Sequence, residues 1–186
     1  MSNNFLDNSL DKILQQYGRA FTGKAFAEES MEEDDLMLVF GLTQQLKAEN
    51  KQYWGRELGM CWQRLVVEIC KQTRDDFGPG IREGADEICD LVVGTDAIDT
   101  KYRIGSGDSG TLKKFRQYAA RLANLEYKPV LLILRNDNLP QAIASCIAGG
   151  WDVRIGPETY EYIQNVSGFN LQMWLKSRKN TFALNP

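Results

Sequence analysis

The sequence predicts a mixed α/β domain, and three patterns along the chain carry this prediction. Residues 50–73 place apolar side chains at three- and four-residue steps, as an amphipathic helix does. Residues 89–103 change to short apolar runs around a tight turn at 94–96, which is typical of a β-hairpin. Residues 129–134 form a continuous apolar run, as expected for a strand buried on both faces of a sheet. Helices before and between these strands predict a sheet covered by helices.

The same periodicities predict the other elements. A helix is expected over 8–20, and a second helix follows the acidic stretch 28–35, because carboxylates suit a helix N-terminus. After the hairpin, the predicted elements are a helix at 111–124, a helix at 139–148, a strand at 151–155 and helices at about 157–165 and 169–178. We therefore expect one domain over 1–186, with a helical N-terminal region (1–50), a core (50–156) and C-terminal helices (157–186).

Length and composition agree with one domain inside the cell. A chain of 186 residues fits a single core. No apolar stretch approaches the roughly 18 residues needed to cross a bilayer, and the N-terminus lacks a signal-peptide pattern. The four cysteines (Cys61, Cys70, Cys89 and Cys146) are widely spaced, as expected for buried thiols in a reducing compartment. We expect a cytoplasmic protein with no membrane partner.

The chain contains no histidine, and this restricts its chemistry. Ser-His-Asp and Cys-His hydrolases in their usual forms are excluded, as are nucleases that use a histidine base. Any hydrolysis must depend on carboxylates, lysine, tyrosine or a metal-bound water.

Charge is distributed unevenly along the chain. Residues 1–93 carry 10 basic and 17 acidic side chains, whereas residues 94–186 carry 12 basic and 8 acidic ones. The stretch 101–135 is the most basic, with eight lysines and arginines against Asp108 and Glu126. This stretch is either a solvated helix face or a surface for an anionic partner.

Three charged residues around the predicted hairpin form the candidate site. Asp99 and Lys101 are two residues apart on a strand, so their side chains leave the same face. Asp90 is expected on the preceding strand, about 5 Å away across the hairpin. Two carboxylates suit Mg²⁺, and a lysine beside them could orient or deprotonate a metal-bound water. Asp86 and Asp96 lie nearby but are expected before the strand and in the turn.

The segment from Asp90 through eight residues to Asp99-Thr-Lys101 resembles the PD-(D/E)XK signature of type II restriction endonucleases and their relatives. The predicted order of helix, hairpin, helix, strand, helix and strand over 50–156 is similar as well. The run from Ala97 to Phe115 is also similar to the stretch after the catalytic strand in some short restriction enzymes. Cys89 stands where the signature has proline.

The resemblance implies roles for individual residues. Asp90 and Asp99 would be metal ligands, with the Thr100 carbonyl as a third, and Lys101 would position the attacking water. An acidic residue on the preceding helix often joins such sites. Glu57 and Glu68 are the candidates here, and Glu57 is chosen because it borders the apolar stripe.

A glycine-rich loop over 105–110 follows the predicted catalytic strand and precedes a helix. It is either a phosphate-binding loop at a helix N-terminus or a flexible loop with a Ser/Asp/Thr cap. In the first case its neighbourhood would contact the DNA backbone and set affinity without reading sequence. The candidate DNA contacts are Arg103, Ser106, Ser109, Lys113, Lys114 and Arg116.

These observations favour a type II restriction endonuclease that cuts a short duplex DNA site with Mg²⁺ and leaves 5′-phosphate and 3′-hydroxyl ends. A homodimer is expected because two-fold DNA sites match two-fold proteins, and the N-terminal helices could supply its contacts. One alternative is a repair or recombination nuclease of the same superfamily that acts on DNA structures. A second alternative is a non-catalytic α/β binding module in which the three charged residues are a surface ion cluster.

Overall fold

A computed structural model of the chain describes residues 11–12, 14–16, 28–107 and 109–184. The helices are α1 (Asp35–Val39), α2 (Gln44–Glu49), α3 (Lys51–Thr73), α4 (Ser109–Asn124), α5 (Pro140–Ala148), α6 (Pro157–Ser167) and α7 (Leu171–Lys176). The strands are β1 (Phe77–Pro79), β2 (Arg82–Glu83), β3 (Asp86–Glu87), β4 (Leu91–Val93), β5 (Asp96–Lys101), β6 (Lys128–Ile133) and β7 (Asp152–Ile155). Residues 11–12 and 14–16 are helical, and the rest of the helix predicted over 8–20 lies outside the described residues.

Five strands form one mixed sheet in the order β1-β4-β5-β6-β7. The β1–β4 and β4–β5 pairs are antiparallel, and the β5–β6 and β6–β7 pairs are parallel. β5 is therefore the central strand and the point where the sheet changes direction. Helices cover both faces, which confirms the predicted mixed α/β class.

The hairpin was predicted correctly, but its surroundings were not. Val93 pairs with Asp96, so the turn has two residues, and its first residue, Gly94, has φ +57°, a conformation that glycine adopts without steric cost. The prediction that Asp96 lies in the turn was wrong, because Asp96 begins β5. Residues 77–80 were interpreted as a helix end, yet they include strand β1. The small β2–β3 hairpin was also missed, since two-residue strands leave no periodicity.

Alternate residues of the sheet face two separate apolar layers. Ile98, Val130 and Leu132 pack with α3, α1, α6 and α7 on one side. Ala97, Leu131 and Ile133 pack with α4 and α5 on the other. By the same alternation, Asp99 and Lys101 extend toward the α4 side and Thr100 and Tyr102 toward the α3 side.

The tryptophans lie in these layers or against them. Trp62 is fully buried and Trp151 nearly so, while Trp54 and Trp174 pack on the first layer. The Trp151 indole N–H donates to the Phe115 carbonyl at 2.8 Å. All four cysteines are free, as expected, and Cys61 alone is only half-buried. No helix in the described part of the chain is both long and apolar enough to cross a membrane.

A buried ionic cluster joins the segment before α1 to the end of β6. Arg135 is 3% exposed and donates two hydrogen bonds to the Asp137 carboxylate and one to Asp34 at 3.0 Å. The Tyr102 hydroxyl also donates to Asp34, and Lys47 donates to Tyr102 and Glu29. Burial opposes ionisation of Asp137, but the donors around it hold the pKa of this carboxyl at about 2. The hydrogen-bonding groups of the cluster all have partners only when the whole cluster is in place, since each charge depends on a buried partner.

Replacing Arg135 by methionine should destabilise the fold strongly. The change removes the paired cation of partly buried Asp34 and leaves Asp137 with only its 3.4 Å pair to Arg103, and breaking a buried pair from one side costs about 3–5 kcal/mol. The matched control is Arg121→Met, since Arg121 and its partner Glu83 are both about 40% exposed and such surface pairs contribute about 0–1 kcal/mol. Urea unfolding would measure both variants, and similar small losses would show that the cluster is not a structural anchor.

Candidate active site

β4 and β5 separate at Asp90, and the gap between them is the candidate site. Asp90 lies immediately before β4, not within the strand as predicted, and its amide donates to the Ile98 carbonyl at 2.8 Å. One carboxylate oxygen, Oδ2, then accepts the Thr100 amide at 2.7 Å and the Thr100 hydroxyl at 2.6 Å. The Asp90 side chain therefore takes the place of a backbone acceptor where the β4–β5 ladder stops.

The other oxygen of Asp90 is held by helix α3. Gln63 Nε2 donates to Asp90 Oδ1 at 2.7 Å. Gln63 follows Trp62, which fixes this part of the helix against the sheet. Asp90 is thus oriented by three donors from two elements, and an ionised carboxylate is stabilised by such donors.

The backbone passes close to Asp90 on its other side. A Cβ atom on Gly80 would lie 2.4 Å from the Cys89 carbonyl oxygen and 2.9 Å from that of Asp90. Only glycine fits this close approach of two backbones without moving Asp90. Sequence patterns could not reveal this role, because Gly80 sits in a Gly-Pro-Gly run that also reads as a helix stop.

Asp99 and Lys101 form an ion pair on the same face of β5, as their spacing predicted. Lys101 Nζ lies 2.6 Å from Asp99 Oδ2 and donates to the Thr100 carbonyl at 3.1 Å. The ammonium also sits 5.9 Å from the centre of the Phe115 ring of α4. The structure therefore brings Asp99, Thr100 and Lys101 together at the edge of the gap.

The electrostatics connect the two aspartates across the gap. Burial raises the pKa of Asp99, Lys101 opposes this rise, and the Asp90 carboxylate adds to it. Burial would lower the pKa of Lys101, but Asp99 and Asp90 together raise it above its ordinary value. Two carboxylates that repel one another beside a protonated lysine form a site that a divalent cation would stabilise.

The residues present fit Mg²⁺ with water completing its coordination. Asp90 and Asp99 carry the carboxylate oxygens, and the Thr100 carbonyl, the third predicted ligand, accepts from Lys101. Within the described ranges, no three cysteines or carboxylates lie close enough together to form a metal-binding group. Mg²⁺ in proteins is commonly held by one or two carboxylates and keeps several waters, so two carboxylates are a donor type that fits it.

Neither glutamate proposed for helix α3 reaches this site. Glu57 is paired with its neighbour Arg56 at 2.9 Å, and Glu68 accepts from Gln72 at 2.8 Å. Both lie on the side of α3 that faces away from the sheet, whereas Gln63 faces Asp90. Among the described contacts, Asp90 is therefore met by Gln63 and not by the predicted Glu57. Gln63 carries no signal in the sequence, because the resemblance implies an acidic residue on this helix and not an amide.

Several residues of the basic stretch are already paired or buried. Arg135 belongs to the buried cluster, Arg121 pairs with Glu83, and Lys128 pairs with Asp152 at 2.6 Å. Lys113 and Arg116 are exposed on α4. Lys114 is 64% exposed and has only a long contact, 3.9 Å, to Asp86. The available basic surface is thus the first half of α4.

The loop before α4 contributes to this basic surface only in part. Arg103 is 14% exposed, donates to the Asp137 carbonyl at 2.9 Å and pairs with its carboxylate at 3.4 Å, so it ties the loop to the ionic cluster. This placement favours a structural role for Arg103 over the predicted contact with DNA. Ser106 is exposed. Ser109 begins α4, and its side chain lies outside the described part of the chain.

Comparison with known proteins finds no match for this chain. No family model matches the chain, and no curated protein or solved structure is similar enough to count as a match.

Replacing Gln63 by leucine should weaken metal binding while leaving the chain folded. Loss of a group that orients a ligand typically lowers metal affinity by about 10- to 100-fold. Calorimetric titration with Mg²⁺ or Mn²⁺ would measure the change. Gln72→Leu is the matched control, because Gln72 lies on the same helix but contacts exposed Glu68. Equal affinity in both variants would remove Gln63 from the site.

Proposed function

We propose that this chain is a Mg²⁺-dependent DNA endonuclease of the PD-(D/E)XK class, acting as a type II restriction enzyme on double-stranded DNA. The observations that carry the proposal are the Asp99–Lys101 ion pair at 2.6 Å and the Asp90 carboxylate bound to the intervening Thr100 where β4 and β5 separate. The chemistry needs no histidine, in agreement with the composition.

The order of elements supports the proposal. Helix α3 precedes β1, β4 and β5, the antiparallel strands of the five-stranded sheet, and α4 then leads to the parallel strand β6. This order agrees with the layout that the sequence resemblance implies for residues 50–156. A fold does not define an activity, so the argument depends on the site.

Asp90, Asp99 and Lys101 would each have a separate role in phosphodiester hydrolysis. Asp90 is held in place by Gln63 and Thr100, and with Asp99 it would hold Mg²⁺. When bound, the metal supplies a more acidic water and neutralises charge on the phosphate. Lys101, fixed between Asp99 and the Thr100 carbonyl, would orient the attacking water and add positive charge where the phosphate becomes more negative. The expected products carry 5′-phosphate and 3′-hydroxyl ends.

The surface beside the site suits a DNA backbone. Phe115 approaches Lys101 from α4, and Lys113, Lys114 and Arg116 are exposed on the same helix. Contacts of this type position a duplex by its phosphates and do not read its sequence. A homodimer would allow two sites to cut both strands of a two-fold symmetric target.

The direct experiment incubates the purified protein with unmodified phage DNA, with Mg²⁺ or with EDTA, and separates the products on a gel. Discrete Mg²⁺-dependent bands support a site-specific endonuclease, whereas a smear indicates a less selective nuclease with the same chemistry. Cleavage of branched DNA alone would favour the repair or recombination nuclease. No cleavage of any substrate would favour the binding module.

Single substitutions test the catalytic assignment. Asp90→Ala, Asp99→Ala and Lys101→Ala should each reduce cleavage below detection while the circular dichroism spectrum stays unchanged, and Lys101→Ala should retain metal binding. Asp86→Ala is the matched control, because Asp86 is a half-exposed carboxylate on β3 whose nearest cation is 3.9 Å away. Full activity in either alanine variant of Asp90 or Asp99 would refute the site.

The basic face of α4 gives a separate prediction for DNA affinity. Replacing Lys113, Lys114 or Arg116 by glutamine should weaken binding to all DNA sequences similarly. Each loss should reduce the slope of log K against log salt by about 1, since about one phosphate contact disappears. Fluorescence anisotropy in Ca²⁺ at several salt concentrations would measure it, with Lys176→Gln on α7 as the control. An unchanged slope in all three variants would place the DNA elsewhere.

A further inference from the structure

A crevice of about 430 Å³ opens on the α3 side of the sheet, beyond the end of β6. Its walls are the segment that leads into α1, the residues that follow β6, the start of α6 and one side of α7. Leu134 and Tyr160, which line the crevice, belong to the apolar layer that covers the α3 side of the sheet. Asp99 and Lys101 extend toward the other side, so the crevice is separate from the candidate active site.

The crevice carries more negative charge than its own cations neutralise. Five carboxylates line it, and the cations among the described lining residues are Arg135 and Lys176. Arg135 already pairs with two of the five carboxylates in the buried ionic cluster. The three carboxylates that make no ion pair in the described part of the chain are Glu32, Glu33 and Asp35. Against these three stands the single unpaired ammonium of Lys176, so the crevice favours a cationic ligand.

Tyr160 places a polar group without a partner on the inner wall of this crevice. The residue is 9% exposed, and its ring packs edge-on against Trp62. Its hydroxyl is buried, and no described group meets it in hydrogen-bond geometry. Burial and nearby Asp35 raise the pKa of this hydroxyl, so it stays protonated. A buried hydroxyl without a partner costs free energy, and a ligand that supplied the partner would remove that cost.

Asp35 provides a carboxylate acceptor close to this hydroxyl. It is half-buried at the first residue of α1. Its Oδ2 accepts from Gln172 Nε2 at 3.2 Å, and its other oxygen has no donor among the described residues. An ammonium group carries three donors, so one such group can bind the free oxygen of Asp35 and the oxygen of Tyr160 together.

The placement of the acids distinguishes between kinds of cation. No three carboxylates of the described chain lie close enough together to hold a metal ion. Glu32 and Glu33 are exposed and Asp35 is half-buried, so the acids extend from the rim toward the inner wall. Apolar Leu134 and Pro157 also line the crevice. Dispersed carboxylates beside apolar surface suit a flexible alkyl chain that carries more than one amino group.

The donors at the crevice do not suit an anion. Helix α6 begins here, but its first residue is Pro157, whose nitrogen has no hydrogen to donate. The donors of Arg135 are directed at carboxylates and at Ser30. The unmatched charge of the site is therefore negative.

We propose that this crevice is a binding site for a small linear polyamine. One ammonium group binds Asp35 and the Tyr160 hydroxyl, a second lies near Glu32 and Glu33, and the alkyl chain between them contacts apolar lining. The inference does not rest on the proposed nuclease activity, because it concerns other residues on the other side of the sheet. Loss of DNA cleavage would leave it standing.

Calorimetric titration of the full chain with spermidine, in buffer without divalent metal ions, tests the site directly. Saturable binding of one spermidine is expected. Glu33→Gln should weaken it about 2- to 5-fold, as loss of an exposed charge pair does. Glu161→Gln is the matched control, since Glu161 is an exposed acid of α6 outside the crevice. No saturable binding, or an equal loss in the control, would show only diffuse attraction to an acidic chain and overturn the proposal.

The unpaired cation and the number of amino groups give two further measurements in the same titration. Lys176→Gln should strengthen spermidine binding, because it removes the cation that opposes the ligand. Butylamine, with a single amino group, should bind more weakly than spermidine, because it cannot meet the inner and outer carboxylates at once. Equal affinity for the two amines contradicts the proposed ligand class.

Two tyrosines of α6 separate a ligand contact from a structural one. Tyr160→Phe should weaken spermidine binding about 10-fold, as loss of a hydrogen bond to a charged group does, without lowering the melting temperature. Tyr162→Phe is the matched control, since the Tyr162 hydroxyl donates to Asp96. It should lower the melting temperature and leave spermidine affinity unchanged. Wild-type affinity in Tyr160→Phe would remove the hydroxyl from the site, and the proposal with it.

Discussion

The two hydrogen bonds from Thr100 to the Asp90 carboxylate determine how the sheet is built at the candidate site. They let β4 and β5 separate while the Thr100 amide stays hydrogen-bonded. An unpaired buried amide would cost more free energy than the two hydrogen bonds themselves contribute. Because the strands separate there, the Thr100 carbonyl and the Lys101 ammonium meet at the edge of the gap. A longer β4 would pair the Thr100 carbonyl within the ladder and close the gap. The site therefore depends on where one strand stops.

The remainder of the fold supplies rigidity around this opening. β5 is hydrogen-bonded on both sides and packed between two apolar layers, so Asp99 and Lys101 stand on the best-supported strand. The loop after β5 is fastened by Arg103 to Asp137 and through it to Arg135. A buried cluster of this kind contributes less to net stability than its many bonds suggest, because each charge has lost its hydration. Its effect is to fix one arrangement of the loop beside the site.

Helix α3 shows how one element serves different purposes on different sides. Trp62 and Leu58 bury its inner side, Gln63 reaches Asp90, and Glu57 and Arg64 face away. Sequence periodicity located the buried stripe correctly. It could not show which neighbouring polar residue meets the site, since that depends on how the helix is rotated and translated over the sheet.

The sequence by itself determined the α/β class, the central hairpin, the buried strand β6, the helices after it and the pairing of Asp99 with Lys101. These follow from local periodicity and from the two-residue repeat of a strand, which need no knowledge of distant contacts. Only the tertiary structure decided that Asp90 sits before β4, that Gln63 replaces Glu57, that Gly80 must lack a side chain and that Arg135 is buried. Each of these depends on residues far apart in the chain meeting in space, and such contacts leave no periodic trace in the sequence.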